Sequence, residues 1–231
     1  MGTRPINHIA VIPDGNRRWA EKNKILSLKG HERGAERINE LIEFAFGEGT
    51  SYLTIWLASI SNLTKRTSRE ISFLTDLFIR QLEENFNTEK FFDKKIHFEV
   101  IGFWKDYLKN EKLTALINQT EERTKDFEGK RLTLLFGYDG KREMLEAIKG
   151  LNNSKEVNEK NLLKPLLTGG LPPIDLVIRT GGEPHWSAGF MMWHTAESQF
   201  YFTPKFWPDF DKQEFEKAIS DFNKRERRFG E

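Results

Sequence analysis

Cysteine is absent from all 231 residues. That excludes disulfides and thiolate chemistry and fits a reducing compartment. No apolar run approaches the roughly 18 residues of a membrane span, and the amino terminus lacks the charged-then-apolar pattern of a secretory signal; the expectation is a soluble, cytoplasmic protein. An excess of one charge is missing too. The 36 Lys plus Arg face 35 Asp plus Glu, so no global field recommends nucleic acid, and a phosphorylated ligand would have to be held by local clusters. There is no Gly-x-x-x-x-Gly-Lys-Ser/Thr loop and no Gly-x-Gly-x-x-Gly turn, and the five histidines lack metal-ligand spacing. Internal repeats and low-complexity tracts are also lacking. Aromatic side chains are abundant by contrast. They reach 13%, with 19 Phe and 6 Trp, enough to line an apolar cavity or a subunit interface beyond what a core needs.

The stretch His8-Ile-Ala-Val-Ile-Pro-Asp-Gly-Asn-Arg-Arg-Trp19 combines a strand, a sharp turn and three charged groups. Ile9 to Ile12 is a short apolar run closed by Pro13 and Gly15, so Asp14, Asn16, Arg17 and Arg18 fall at a strand's carboxyl end. In an open α/β sheet ligands bind at that rim, and a following helix amino terminus offers free N–H groups to a phosphate. A carboxylate beside two guanidiniums suggests a metal ligand next to anion clamps. The ordinary alternative is an Asp-Gly turn with solvated arginines.

Further strands are expected at Tyr52 to Ala58, His97 to Phe103, Leu132 to Gly137, Ile174 to Ile178 and Gln199 to Thr203. Helices are expected from Gly30 to about Phe46, Glu70 to about Asn87, Lys105 to about Arg123, Arg142 to Lys149 and Asp211 to Arg228. Ser59 to Arg69 reads as a polar, basic loop long enough to act as a mobile flap, and Leu151-Asn-Asn-Ser as the most linker-like segment. Strands alternating with helices make a mostly parallel sheet covered by helices, with Asp14, the Ser59 loop, Tyr138 to Lys141 and Arg179 to Glu183 on one rim. Asp14, Arg17, Arg18, His31, Ser59, Asn62, Arg66, Arg179 and Ser187 would gather there as a site for two or more phosphates. Asp14 alone could hold Mg²⁺, which needs only one or two carboxylates plus substrate oxygens.

His8 to Ala20, Gly30-His31, Ser59 with Asn62, Asp175-Leu-Val-Ile-Arg-Thr-Gly-Gly-Glu183 and Phe206-Trp-Pro-Asp-Phe210 together resemble the cis-prenyltransferase family, from about residue 7 to residue 230. The resemblance implies a single α/β domain over residues 1–231, a mostly parallel central sheet flanked by helices with a hydrophobic tunnel, and a homodimer. It implies condensation of an allylic prenyl diphosphate with a five-carbon diphosphate, with Mg²⁺ as cofactor and possible peripheral membrane contact for product release. By the family pattern Asp14 is the metal and catalytic carboxylate, while Ser59 and Asn62 assist proton loss. Gly15, Asn16, Arg17, Arg18 and His31 then hold the allylic diphosphate, and Arg66 or Lys65 acts from the flap. Arg179, His185 and Ser187 grip the second diphosphate, with Glu183 supporting that loop and Arg228 and Gly230 completing the partner subunit's site. Leu57, Ile71, Leu74 and Phe78 become tunnel wall; the same stripe is equally compatible with plain core.

Departures from the family pattern are Ser27 in place of an Arg, His185 in place of an Arg, and Gln199 in place of a second metal carboxylate. They point to unusual handling of the acceptor: dimethylallyl diphosphate, or condensation at a non-standard carbon to a branched product. A non-catalytic partner subunit and a phosphate-binding module without turnover are the competing explanations. Leu57, bulkier than the Ala of long-chain enzymes, hints at a short or medium product.

Overall fold

The computed structural model describes residues 6–87, 90–151, 156 and 158–225, excluding the side chains of 85–87, 90 and 91. The chain runs β1 (His8–Ile12), α1 (Asn16–Lys22), α2 (Ser27–Gly47), β2 (Tyr52–Ser59), α3 (Ile60–Lys65), α4 (Ser68–Asn87), α5 (Lys90–Asp93), β3 (Ile96–Ile101), α6 (Trp104–Tyr107) and α7 (Glu111–Thr124). It continues through β4 (Lys130–Tyr138), α8 (Gly140–Gly150), α9 (Glu159–Leu163), β5 (Leu176–Arg179), β6 (Gln199–Phe202), a single 3-10 turn (Trp207–Asp209) and α10 (Lys212–Lys224).

All six strands join one sheet in the order β3-β4-β2-β1-β5-β6, and every pairing is parallel. A wholly parallel sheet must be covered on both faces, which explains why the central strands are near-continuous apolar runs. The chain adds strands on one side of β1 and then returns to the other with β5. That puts the reversal of strand order, where ligands enter α/β sheets, at the carboxyl end of β1, where Asp14 follows.

One face carries the larger core, with Ile9, Val11, Leu53, Ile55, Leu132, Leu134 and Ile178 under α2, α4, α7 and α10. The other face packs Ala10, Trp56, Leu135, Tyr138, Val177, Phe190 and Met191. β3 forms one edge of the sheet, but its outward N–H groups are closed off. Phe98 N donates to Thr124 Oγ1 (3.1 Å) and Val100 N to Glu121 Oε1 (2.9 Å), both from α7. Burial raises the Glu121 carboxyl above its ordinary pKa.

Several expected boundaries move for local reasons. The expected flap is mostly helix: Ser59 caps α3, its Oγ accepting from Asn62 N while Asn62 Oδ1 accepts from Ser59 N, a reciprocal capping arrangement. Thr67 Oγ1 then accepts from Glu70 N at the start of α4. The expected Lys105–Arg123 helix is broken at Leu108, and Asn110, whose side chain accepts from Leu113 N at 2.8 Å, starts α7 afresh. Asp211 caps α10 in the same way. Helix α2 starts at Ser27, three residues before Gly30. Asn152 to Ser154 of the linker-like segment, and Arg228 and Gly230, lie outside the described residues.

Candidate active site

A cavity of about 680 Å³ opens at the carboxyl rim and runs between the sheet and helices α2 and α4. Its polar mouth is formed by Asp14, Asn16, Arg17, Arg18, His31, Ser59, Asn62, Arg66, Arg179 and Ser187. Its depth is apolar, lined by Ile38, Leu57, Ile71, Leu74, Phe78, Leu82, Phe98 and Phe136 among others. Convergent charge at one end and hydrocarbon at the other suits an amphiphile with an anionic head.

Asp14 sits between two guanidiniums. Its Oδ1 lies 3.1 Å from Arg18 Nη2 and its Oδ2 accepts from Arg179 Nη2 at 3.2 Å. The Asp14 side chain is 35% exposed, whereas Arg179 is 6% exposed. The other terminal nitrogen of Arg179 donates to Ser187 Oγ (2.6 Å) and to the His185 carbonyl (2.7 Å). The Asp14 turn is held from both sides. Thr180 Oγ1 accepts from Asp14 N and donates to Asp14 O, and Trp207 N also donates to that carbonyl. Gly15 turns the chain at φ 106°, and a Cβ there would stand 2.6 Å from the Phe206 ring, so the backbone needs glycine on two counts.

Trp207 Nε1 donates to Gly34 O and Trp19 Nε1 to Asp209, fastening α1 and α2 to the Phe206–Phe210 segment. Gly30 lets the two helices touch, since a Cβ on it would lie 2.1 Å from Asn16 O. His31 is thereby brought to the mouth, where Nε2 lies 3.2 Å from Glu70 Oε1; Arg66 Nε approaches the same oxygen at 3.3 Å. Burial first, then Arg66, lowers His31 to about 4 against the pull of Glu70, leaving a neutral imidazole at pH 7. Burial lowers Arg66 as well. Asn16 Oδ1 and Arg179 Nε are buried without a protein partner, a state that a bound ligand would relieve.

Most of the residues expected at the rim are therefore brought together, with four differences. Lys65 is exposed and outside the cavity wall, and Arg66 takes the flap position. The His185 ring is 57% exposed, bonded to Ser187 Oγ (2.9 Å) and near Glu183, so its backbone carbonyl rather than its ring meets Arg179. Gln199 is not at the site. It pairs with Leu176 at the amino end of β5, three residues short of Arg179 and on the rim remote from Asp14. Within one chain the carboxylate-to-amide change therefore does not reach the cavity mouth. Ser59 and Asn62 line the mouth but spend Asn62 Oδ1 and one Ser59 lone pair on the cap, leaving the amide NH₂ and the hydroxyl proton for a ligand.

The residues 12–230 match the prenyltransferase family model, that of undecaprenyl diphosphate synthase. The chain belongs to this family. It is 38% identical to the isoprenyl transferase of Thermotoga maritima, with 96% of each chain covered. Ditrans,polycis-undecaprenyl-diphosphate synthase ((2E,6E)-farnesyl-diphosphate specific) of Coxiella burnetii is 32% identical, covering 96% of this chain and 95% of the relative. Among solved structures, lavandulyl diphosphate synthase from Lavandula x intermedia in complex with dimethylallyl diphosphate superposes with a TM-score of 0.90 at 30% identity, over 98% of this chain and 99% of that one. The protein is thus an isoprenyl transferase with the parallel α/β fold of its family, and chain elongation is the activity these relatives favour over a non-catalytic role.

The Phe206–Phe210 segment, Thr180 and Glu70 are site residues that sequence reasoning did not assign. The first was visible as a motif without a role. The other two act through partners that no local pattern reveals. Deeper still, Tyr138 Oη donates to Glu143 Oε2, and Glu143 Oε1 accepts from Thr168 N (2.8 Å) and Oγ1 (2.9 Å), while Thr168 Oγ1 also meets His194 Nε2. Burial and the Glu143 charge raise the Tyr138 hydroxyl above its usual pKa. This buried chain backs the loop that carries Ser187.

Proposed function

We propose that the protein joins an allylic prenyl diphosphate to isopentenyl diphosphate in a Mg²⁺-dependent, cis-type elongation, releasing diphosphate. The observation that carries this is Asp14 held between Arg18 and Arg179 at the charged mouth of a cavity whose depth is hydrocarbon. The allylic diphosphate rests on the α1 amino terminus with Arg17, Arg18 and His31, and its tail lies along Leu57, Ile71, Leu74 and Phe78. Each methylene buried there contributes about 0.8 kcal/mol. The acceptor's diphosphate lies toward Arg179 and Ser187.

Among the described residues no three His, Asp or Glu cluster as a metal site, and we assign the metal to the Asp14 carboxylate, 35% exposed at the mouth. That suits Mg²⁺, which takes its remaining ligands from water and substrate phosphates. When bound, Mg²⁺ neutralises the charge growing on the departing diphosphate. Preorganised Arg18 and Arg66 act on the same charge from the protein side, and we assign Ser59 and Asn62, which line the same mouth, to assisting loss of the proton. Neutral His31 has a single N–H, held here between Nε2 and Glu70 Oε1, so it serves the diphosphate by exchanging that partner for a phosphate oxygen.

Six of the exposed large apolar side chains, Leu145, Ile148, Leu167, Trp186, Trp193 and Phe202, follow residue 140, and we assign their cover to a second copy of the chain. No helix among the described residues is long and apolar enough to cross a membrane, and we place the enzyme in the cytoplasm. Purified protein with radiolabelled isopentenyl diphosphate and C10, C15 and C20 allylic primers tests the assignment. Elongated products are expected with Mg²⁺, none in EDTA, and none from Asp14→Ala, which still binds the allylic primer. Product formation undiminished in Asp14→Ala refutes it. A branched product would instead assign the acceptor chemistry to a non-standard carbon.

A further inference from the structure

Two exposed apolar residues stand apart from that carboxyl-terminal set. Ile25 is 44% exposed and Leu26 74%, the most exposed large apolar side chain among the described residues. They form the tip between α1 and α2, where residues 21–27 are exposed without interruption. The tip is braced, not loose. Lys24 N donates to Glu21 O and Ile25 N to Ala20 O, and Lys24 takes φ 57° to turn the chain outward.

Charge is concentrated at the same place. The chain as a whole is nearly neutral, yet Arg17, Arg18, Lys22, Lys24 and Lys29 fall within thirteen residues against one acid, Glu21. Arg18 is paired with Asp14 and Glu183, and Lys29 with Glu32. Arg17, Lys22 and Lys24 have no ion-pair partner among the described residues. The tip is also continuous with the cavity mouth, since α1 carries Arg17 and Arg18 and α2 carries His31.

We propose that this tip seats the enzyme on an anionic lipid bilayer, with Ile25 and Leu26 entering the headgroup layer and Lys22 and Lys24 above anionic headgroups. The inference rests on the prenyltransferase assignment in one respect: substrate and product are then lipids whose mouth-side heads lie at the same surface. A protein partner fits less well. A specific protein interface needs roughly 800 Å² per side with aromatic or Arg anchors in a packed centre, whereas two aliphatic tips ringed by lysines need only the soft depth of a bilayer.

Vesicle flotation of the full chain tests the proposal, using pure phosphatidylcholine and phosphatidylcholine with 30% phosphatidylglycerol. Binding is expected only to the anionic vesicles and is lost in 0.5 M NaCl, because the attraction is screened beyond a few ångströms. The double change Lys22→Ala/Lys24→Ala weakens binding about 25-fold, roughly fivefold per lysine. Ile25→Asp/Leu26→Asp abolishes it, and folding is retained because Leu26 occupies the N-cap of α2, where Asp is favoured. Both variants elongate a short, water-soluble allylic primer with isopentenyl diphosphate at the wild-type rate. Equal binding to both vesicle types, no binding, or undiminished binding of the Asp variant overturns the proposal. Failure of the wild-type protein to elongate the soluble primer would instead overturn the proposed elongation activity, whatever the vesicles show.

Discussion

Replacing Glu143 with alanine exposes how much the site depends on a residue that never touches the cavity. Its carboxylate is buried and accepts from Tyr138 Oη, Thr168 N and Thr168 Oγ1. After the change, Thr168 Oγ1 can still turn to His194, but the Tyr138 hydroxyl and the Thr168 N–H lose their acceptor. Each orphaned buried donor costs about 1–3 kcal/mol, and the void adds to that, so Glu143→Ala should destabilise by about 3–5 kcal/mol. For a chain of this size that corresponds to a fall in Tm of roughly 10 °C or more. The consequence reaches the acceptor side of the mouth. Gly140 N donates to Ala188 O, the Tyr138 ring stands edge-on to Phe190, and Ala188 and Met191 are held at φ 47° and 44°, which L side chains adopt only under constraint. Ser187, which meets Arg179, begins that segment. Differential scanning calorimetry and steady-state kinetics should therefore show a lower Tm together with a raised KM for isopentenyl diphosphate and an unchanged KM for the allylic primer. Glu143→Gln keeps both Thr168 bonds and should cost about 1 kcal/mol, restoring most of the KM. A Glu143→Ala protein melting within 2 °C of wild type, or one with both KM values raised equally, would refute the reasoning.

Gly30→Ala drives a methyl against the Asn16 carbonyl and should part α1 from α2, costing about 1–3 kcal/mol in urea unfolding and raising the allylic KM while sparing the acceptor KM. His8 and His31 are both lowered to about 4, by burial in the first place, from an unfolded value of 6.5. Between those values the unfolded chain binds more protons, so stability should fall as pH drops from 6.5 to 4, by up to about 1.4 kcal/mol per pH unit for each histidine. His8→Asn should flatten that fall by about half in pH-dependent urea titrations. Leu57→Ala removes three carbons from the cavity wall and should shift the product distribution toward the next longer chain, read by thin-layer chromatography of the dephosphorylated products.

The sheet and its rim were legible because short apolar runs closed by Pro, Gly or polar turns can only be buried strands in an alternating chain, and parallel order then fixes which ends meet. Ser59 and Asn62 were placed correctly, but their spacing is also that of a helix cap, and the cap is why the expected flap is largely helical. Gln199 shows the limit of matching residues along the chain. The expected strand from Gln199 to Thr203 already put it at an amino end, and the pairing with Leu176 places that end away from Asp14. Thr180, Glu70 and Glu143 were silent because each is one polar residue whose partners come from other elements or from helical spacing that ordinary surface residues share. Neither composition nor periodicity marks such a residue.

The side chains of Thr124 and Glu121 that satisfy β3 have a consequence for assembly. Copies that join sheet to sheet need an open border at each end to keep growing, and here one border is sealed from within the same subunit. A strand from a neighbouring molecule finds the Phe98 and Val100 N–H groups already taken, so the sheet is not extended across that border.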